Sequence, residues 1–383
     1  MSATFPPLAF YLPPSNWPQE MPASAEDNWP GFGIGLYAWT VQTYLRLKAA
    51  GVPCQLTPVV PEEGIVLVHR NAFLASDCAL KASARRLMVC LKADLPPHPQ
   101  AQIHVVQNPL EAVKLHHSYY LPHWPQPGLI PRDPDRGDRF ETIAFLGRQV
   151  QLARELRHSS WQDRLKALGL QWQPLLNPNC WQDYRQLDSR WNDFSQIDAI
   201  VAVRSFDRQQ RYLKQHYLNK PATKLYNAWL ASVPAVLGPE IAYRAEGQPN
   251  LNYLEVTSLS GVLAALRRLR DDRALRRSLV EQGQLSASAI RPCQITARWR
   301  RFLEQVAVPA YERWRLTPPW LQRLQLARGE MAVNLMRSQH KLRSWIAAPA
   351  SQFFVGESLP QHFQTNHWQL ETLQPLQREG GRD

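Results

Sequence analysis

The 383-residue chain is predicted to be an α/β protein: two doubly wound, Rossmann-like domains facing a cleft, followed by a helical C-terminal extension. Three observations lead there. Short apolar runs alternate with helical spacers in two successive series, the pattern of parallel sheets wrapped by helices. A proline-rich joint separates the series. Beyond about residue 262 the pattern turns helical and strongly basic. The length exceeds one typical domain and allows each half its own core.

The first thirty residues, with Tyr11-Leu-Pro-Pro-Ser-Asn-Trp17 and Asn28-Trp-Pro-Gly31, are expected to be irregular chain. Gly31-Phe-Gly-Ile-Gly35 leads into a stretch, 36–50, whose apolar residues recur every three to four, a helix closed by Gly51. Strand-length apolar runs follow at 54–56, 65–68, 87–91 and 103–106. Residues 121–138 hold five prolines and read as the joint. The rhythm then restarts with a strand ending at Gly147, helices at 149–157 and 161–169, and a strand at 197–203. A helix opening near Lys220, strands at 235–238 and 253–256 and a helix at 261–270 complete the second series. Residues 296–306 are expected to cross back onto the first domain, 318–346 to form an amphipathic helix, and the tail after about 355 to be poorly ordered. The domains are thus 1–138 with the joint, 139–310, and 311–383 as extension and tail.

Composition narrows the function. Forty-four Lys and Arg against 32 Asp and Glu give a net charge of +12, a field that attracts anions. No block of five or more cations and no nucleic-acid module is present, so nucleic acid is not the expected partner. No apolar run approaches the roughly 20 residues that span a bilayer, and the N-terminus lacks a signal-peptide pattern. The expected location is the cytoplasm, at the inner face of the membrane where an acceptor resides there. Cys54, Cys78, Cys90, Cys180 and Cys293 are far apart and odd in number, which argues against a zinc site or disulfide framework. His116, His117 and His123 have no carboxylate or thiol partner at ligand spacing. Trp17, Trp29, Trp39 and Trp124 are candidate acceptor platforms, although packing is the commoner use of tryptophan.

The most informative stretch runs from Lys220 to Glu240. Lys220, Thr223, Lys224 and Asn227 open an apolar helix that ends at Val233-Pro234, and a short strand then leads to Gly238-Pro239-Glu240. Amides at a helix start, cations beside them and a glycine permitting close approach suit a diphosphate-like group. Ligands of open α/β sheets bind beyond the carboxyl ends of the strands. Those ends carry Gly147-Arg148, Arg204-Ser205 and Gly238-Pro239-Glu240, so Arg148, Arg204, Lys220 and Lys224 are expected on one edge. Such cations neutralise a departing nucleoside diphosphate, whose charge grows in the transition state.

Asn227-Ala-Trp-Leu-Ala-Ser-Val-Pro234-Ala-Val-Leu-Gly238 resembles the donor-binding segment of GT-B glycosyltransferases of the family 1 and 4 type. The resemblance implies a nucleotide-sugar held by the C-terminal half and its sugar transferred to a glycan or lipid-linked acceptor held by the N-terminal half. Gly147-Arg148 resembles the family's glycine loop and first basic residue, and Gly33-Ile-Gly35 its acceptor-side glycine loop. The chain departs from the pattern at Asn219 and Asn227, where many members carry glutamates, and at Ser232, where glycine is usual. Asn227 is then expected to hydrogen-bond a ribose hydroxyl, and Glu240 to contact donor hydroxyls. A catalytic base, if configuration is inverted, is expected from the first domain: His69 after a strand, ahead of Asp77 and Asp94.

Asp133-Pro-Asp135 is a D-x-D, but it lies among prolines and arginines rather than at a buried strand end, so no essential metal is expected. No cofactor is expected beyond the nucleotide-sugar co-substrate. Two other readings remain open: a nucleotide-sugar epimerase on the same scaffold, and a non-catalytic basic protein binding nucleic acid or a membrane surface.

Overall fold

The computed structural model of the protein describes residues 5–75, 80, 82–115, 117–177 and 184–347; Asp77, Cys78, His116, Cys180 and the expected disordered tail lie outside them. Two all-parallel sheets face each other. The first has six strands, β1 (Leu8–Tyr11), β2 (Gln55–Thr57), β3 (Gly64–His69), β4 (Arg86–Leu91), β5 (Ile103–Val106) and β6 (Ser118–Tyr120), in the order β2-β1-β3-β4-β5-β6. The second has five, β7 (Thr142–Arg148), β8 (Gln171–Asn177), β9 (Ala199–Ala202), β10 (Ala235–Leu237) and β11 (Leu254–Glu255), in the order β11-β10-β9-β7-β8. Continuous apolar runs explain the central strands: β3, β9 and β10 are buried along their whole lengths because helices cover both faces. The fold class expected from the sequence is the fold observed.

Three strands were not expected. Leu8–Tyr11 lies inside the segment read as irregular, yet it is wholly buried and pairs with both β2 and β3. Prolines flank it without interrupting it, so the local breakers conceal a short core strand. Ser118–Tyr120 and Gln171–Asn177 are edge strands, polar and, in the second, containing Pro174; an edge tolerates both. The helix expected at 149–157 is instead two 3₁₀ turns, Gln149–Gln151 and Arg154–Arg157. Between them the Ala153 amide donates to the Val203 carbonyl at 2.7 Å, pinning the chain to the end of β9.

The helix after the glycine loop runs from Gly35 to Ala49 and carries a π-turn at Ala38–Gln42. At this turn Thr43 accepts a hydrogen bond from the Trp124 indole at 2.8 Å, tying the helix to the joint. The joint is packed rather than loose. Arg132 and Arg136 both bind Asp198, which also accepts the amides of Glu141 and Thr142. Asp133 caps the 3₁₀ turn Pro134–Arg136 by accepting from the Asp135 amide at 2.9 Å, so the D-x-D closes a turn.

The chain then returns to the first lobe. Trp299, on the helix Pro292–Phe302, meets Trp39 with ring centroids 6.2 Å apart, and Phe302 meets Tyr119 at 5.6 Å. A second π-turn, Leu303–Ala307, precedes Pro309, whose missing amide breaks the regular ladder. Trp314 donates to the Ser83 carbonyl at 2.7 Å, and the long helix Pro319–Ala347 follows. Among the described residues, no helix is long and apolar enough to cross a membrane.

Candidate active site

In a doubly wound sheet the crevice opens where the strand order reverses, outside the carboxyl ends. In the second sheet that point lies between β7 and β9, and the residues just there are Gly147-Arg148 and Arg204. In the first sheet it lies between β1 and β3, and β3 ends at His69. Both crevices open into one cavity of about 530 Å³. Its walls include Gly33, Gly35, His69 and Asp94 from the first lobe and Gly147, Arg148, Arg204, Lys220, Thr223, Lys224 and Asn227 from the second.

Lys224 stands in the first turn of the helix Thr223–Leu230. Its amine donates to the Leu146 carbonyl at 3.0 Å and lies 5.0 Å from the centre of the Phe145 ring. A Cβ on Gly147 would fall 2.7 Å from that amine, so the bare glycine makes the room it occupies. Burial pulls the Lys224 pKa down to about 7, and the Arg204 and Arg148 charges push the same way against the attraction of Glu240. Like charges crowded this closely oppose protonation of the amine.

Arg204 donates to Glu240 at 2.9 Å and lies over the Tyr217 ring at 5.6 Å. Burial opposes its charge, but Glu240 with Tyr243 and Asp94 together outweigh it and raise its pKa overall. Glu240 is 1% exposed and sits behind Arg204, away from the cavity wall. Burial raises its own pKa, with Arg204 opposing. Gly238 is also off the wall; a Cβ there would press on Val203 at 3.2 Å. Direct donor contact, expected of both, gives way to support: Gly238 permits close packing on β9, and Glu240 orients Arg204.

Two further candidates on the cavity wall already have partners within the protein. The Asn227 side chain is engaged twice by Gln126 of the joint, accepting from its amide at 3.0 Å and donating to its side-chain oxygen at 2.8 Å. It secures the helix to the joint. Lys220 is paired across the cleft with Asp94, which also accepts from Gln107. Burial raises the Asp94 pKa, yet the Lys220 pair outweighs it and leaves the carboxyl below its usual range.

His69 is 3% exposed, and burial lowers its pKa to about 3. Its Nδ1 accepts the Asn71 amide at 3.2 Å, so the neutral ring carries its proton on Nε2. That nitrogen is buried without a hydrogen-bond partner and would stand 3.8 Å from a Cβ on Gly35, at the cavity wall. An Nε2–H donates and does not accept. The base role expected of His69 does not suit this geometry.

One side of the cleft is strapped shut by a contact the sequence did not reveal. Trp29 and Tyr37 from the first lobe pack on Tyr184, with centroids 4.7 and 5.6 Å away, and Trp191 donates to Asn28 at 2.8 Å. A Cβ on Gly33 would meet Leu187 at 2.8 Å, so this glycine serves the closure. Trp39 and Trp124 are each 1% exposed; Trp39 lies on the cavity wall, whereas Trp17, Trp29 and Trp124 do not. Among the described residues, no group of three or more His, Cys, Asp or Glu is arranged to hold a metal.

No protein-family model matches the chain, and no curated protein does. Solved structures similar to it include Anabaena Alr3699/HepE in complex with UDP and glucose, at TM-score 0.49 and 11% identity over 79% of this chain and 100% of that one. Sucrose-phosphate synthase from Thermosynechococcus elongatus follows at TM-score 0.46 and 12% identity, covering 78% of this chain and 98% of its own. AviGT4, a glycosyltransferase involved in avilamycin A biosynthesis, stands at TM-score 0.45 and 13% identity, with 78% and 99% covered. At such distances the architecture rests on the chain's own two sheets: parallel, doubly wound, and opening their carboxyl ends on one cleft.

Proposed function

We propose that the protein is a metal-independent glycosyltransferase of the hexosyltransferase type, moving a sugar from a nucleoside diphosphate to a glycan or lipid-linked acceptor. The observation that carries this is the meeting of Arg148, Arg204 and Lys224 at the switch point of the second sheet, on one wall of the cavity. The β7 and β9 ends supply the two guanidiniums, and the helix after Lys220 supplies the amine. As the bond from sugar to phosphate breaks, negative charge gathers on the diphosphate, and fixed cations there lower the barrier without a metal. The resemblance of the 227–238 segment to donor-binding sequences supports the same assignment.

The first lobe then receives the acceptor. His69 offers an N–H to an oxygen in the cleft. The epimerase reading gains nothing, because Glu240 and Asp94 are both committed to cation partners.

The test is calorimetric titration of the nucleoside diphosphates UDP, GDP and ADP and their sugars. Lys224→Ala and Arg148→Ala should each weaken the preferred diphosphate by about tenfold or more, the size of one charge-assisted contact. Variants that bind every donor as tightly as the native protein would overturn the proposal.

A further inference from the structure

The helix Pro319–Ala347 packs by one face and leaves another bare. Its inner face holds Gln322 and Val333, each 5% exposed, with the Gln322 amide bonded to the Trp314 carbonyl at 2.7 Å. The outer face carries Trp320, Leu324, Met331 and Leu335, exposed by 67%, 40%, 63% and 61%. At 3.6 residues per turn these four fall within an arc of about 60°. An exposed apolar stripe of this kind marks a contact surface.

Charge says what it contacts. Over residues 319–347 the sequence places Arg323, Arg328, Arg337, Lys341 and Arg343 against the single acid Glu330. Arg323 and Arg328 are exposed and flank the stripe on opposite sides. The whole chain adds a net +12. An exposed apolar stripe bordered by arginine matches the acyl and headgroup layers of an anionic bilayer, in which a helix lies flat. Position agrees. Near Ser83 and Ala84 the helix meets the first lobe, and further along it touches the helix Arg208–Leu213 of the second. That short helix follows the Arg204 strand end and shows Tyr212, 70% exposed. The helix that carries the stripe therefore contacts both lobes.

We propose that this outer face docks the protein on anionic lipid, with the helix lying in the interface. The proposal rests on the helix and its charge, independently of sugar transfer. Sedimentation of the full chain with phosphatidylglycerol-rich vesicles should recover it, and pure phosphatidylcholine vesicles should not. The triple variant Trp320→Ser/Met331→Ser/Leu335→Ser should lose about tenfold in partitioning, with unchanged melting temperature and diphosphate affinity. Arg323→Glu/Arg328→Glu should lose as much and should abolish the salt dependence. Unchanged sedimentation of the triple variant overturns the proposal, as does failure of the native chain to bind anionic vesicles. A native dimer that the triple variant dissociates would assign the stripe to a second copy instead. Vesicle binding seen only after truncation beyond Ala347 would assign it to the chain's own C-terminal segment.

Discussion

Ser232 shows what one backbone conformation asks of a single residue. It stands where the segment it resembles usually has glycine, and its φ is +58°. The helix before it closes in a Schellman turn, with the Val233 amide on the Ala228 carbonyl at 3.0 Å and the Ser232 amide on Trp229 at 3.2 Å. A side chain in this left-handed region costs about 1–2 kcal/mol, and the Ser232 hydroxyl regains part by accepting from Gln284 at 2.8 Å. Ser232→Gly should therefore raise stability by about 0.5–1 kcal/mol, read as an upward shift in denaturant midpoint. Lys224 makes a sharper prediction. Its pKa falls from the ordinary 10.5 to about 7 in the folded chain. Between those values the unfolded state binds more protons, so stability of the ligand-free protein should rise with pH across this window. A bound diphosphate restores the charge, so binding near pH 8 should take up about one proton and weaken as pH climbs further. Calorimetry in buffers of different ionisation enthalpy measures this. Lys224→Met should show no uptake; an equal uptake would remove Lys224 from the phosphate site.

At the scale of elements, the strongest dependence is on the clamp around Asp198. Its side chain is fully buried and accepts from Arg132, Arg136 and two backbone amides, joining the connector to β7 and β9. Burial raises its pKa, but the Arg136 and amide hydrogen bonds prevail and hold it below the usual range. Its stability contribution is thus present above the unfolded value of 3.8 and lost as pH falls beneath it. Asp198→Ala strands the Arg136 charge and should cost about 3–5 kcal/mol by chemical denaturation. A loss under 1 kcal/mol would mean the connector is held elsewhere. The glycine loop was visible as a pattern, but its partner was not. Gly33→Leu should push on Leu187, loosen the aromatic strap and raise proteolysis within 184–194, since no short-range signal separates this contact from ordinary surface chain.

At the scale of the molecule, the Asp94–Lys220 pair decides how the lobes meet. Asp94 follows β4 and Lys220 precedes the donor-side helix, 126 residues away. Asp94→Asn removes the charge attraction while keeping the shape. The ligand-free variant should show a larger radius of gyration by small-angle scattering and a higher affinity for diphosphate, because Lys220 is released. An unchanged radius together with unchanged affinity would leave the tie without consequence. Tyr120, Tyr226 and Glu246 form a second buried polar contact between the lobes, which should keep the hinge side closed in that variant.

By itself the amino-acid sequence determined the two parallel sheets, the connector between them and the cationic strand ends, because buried strands must be apolar and strand ends must carry the polar chemistry. Those are local consequences of burial and backbone geometry. Only the tertiary structure decided which of the candidates face the cavity. It paired Asn227 and Lys220, both on the cavity wall, with partners over a hundred residues away, set Glu240 behind Arg204, and placed the His69 proton on the nitrogen that faces the cleft. Desolvation and pairing depend on neighbours distant in the chain, so no window of sequence contains them.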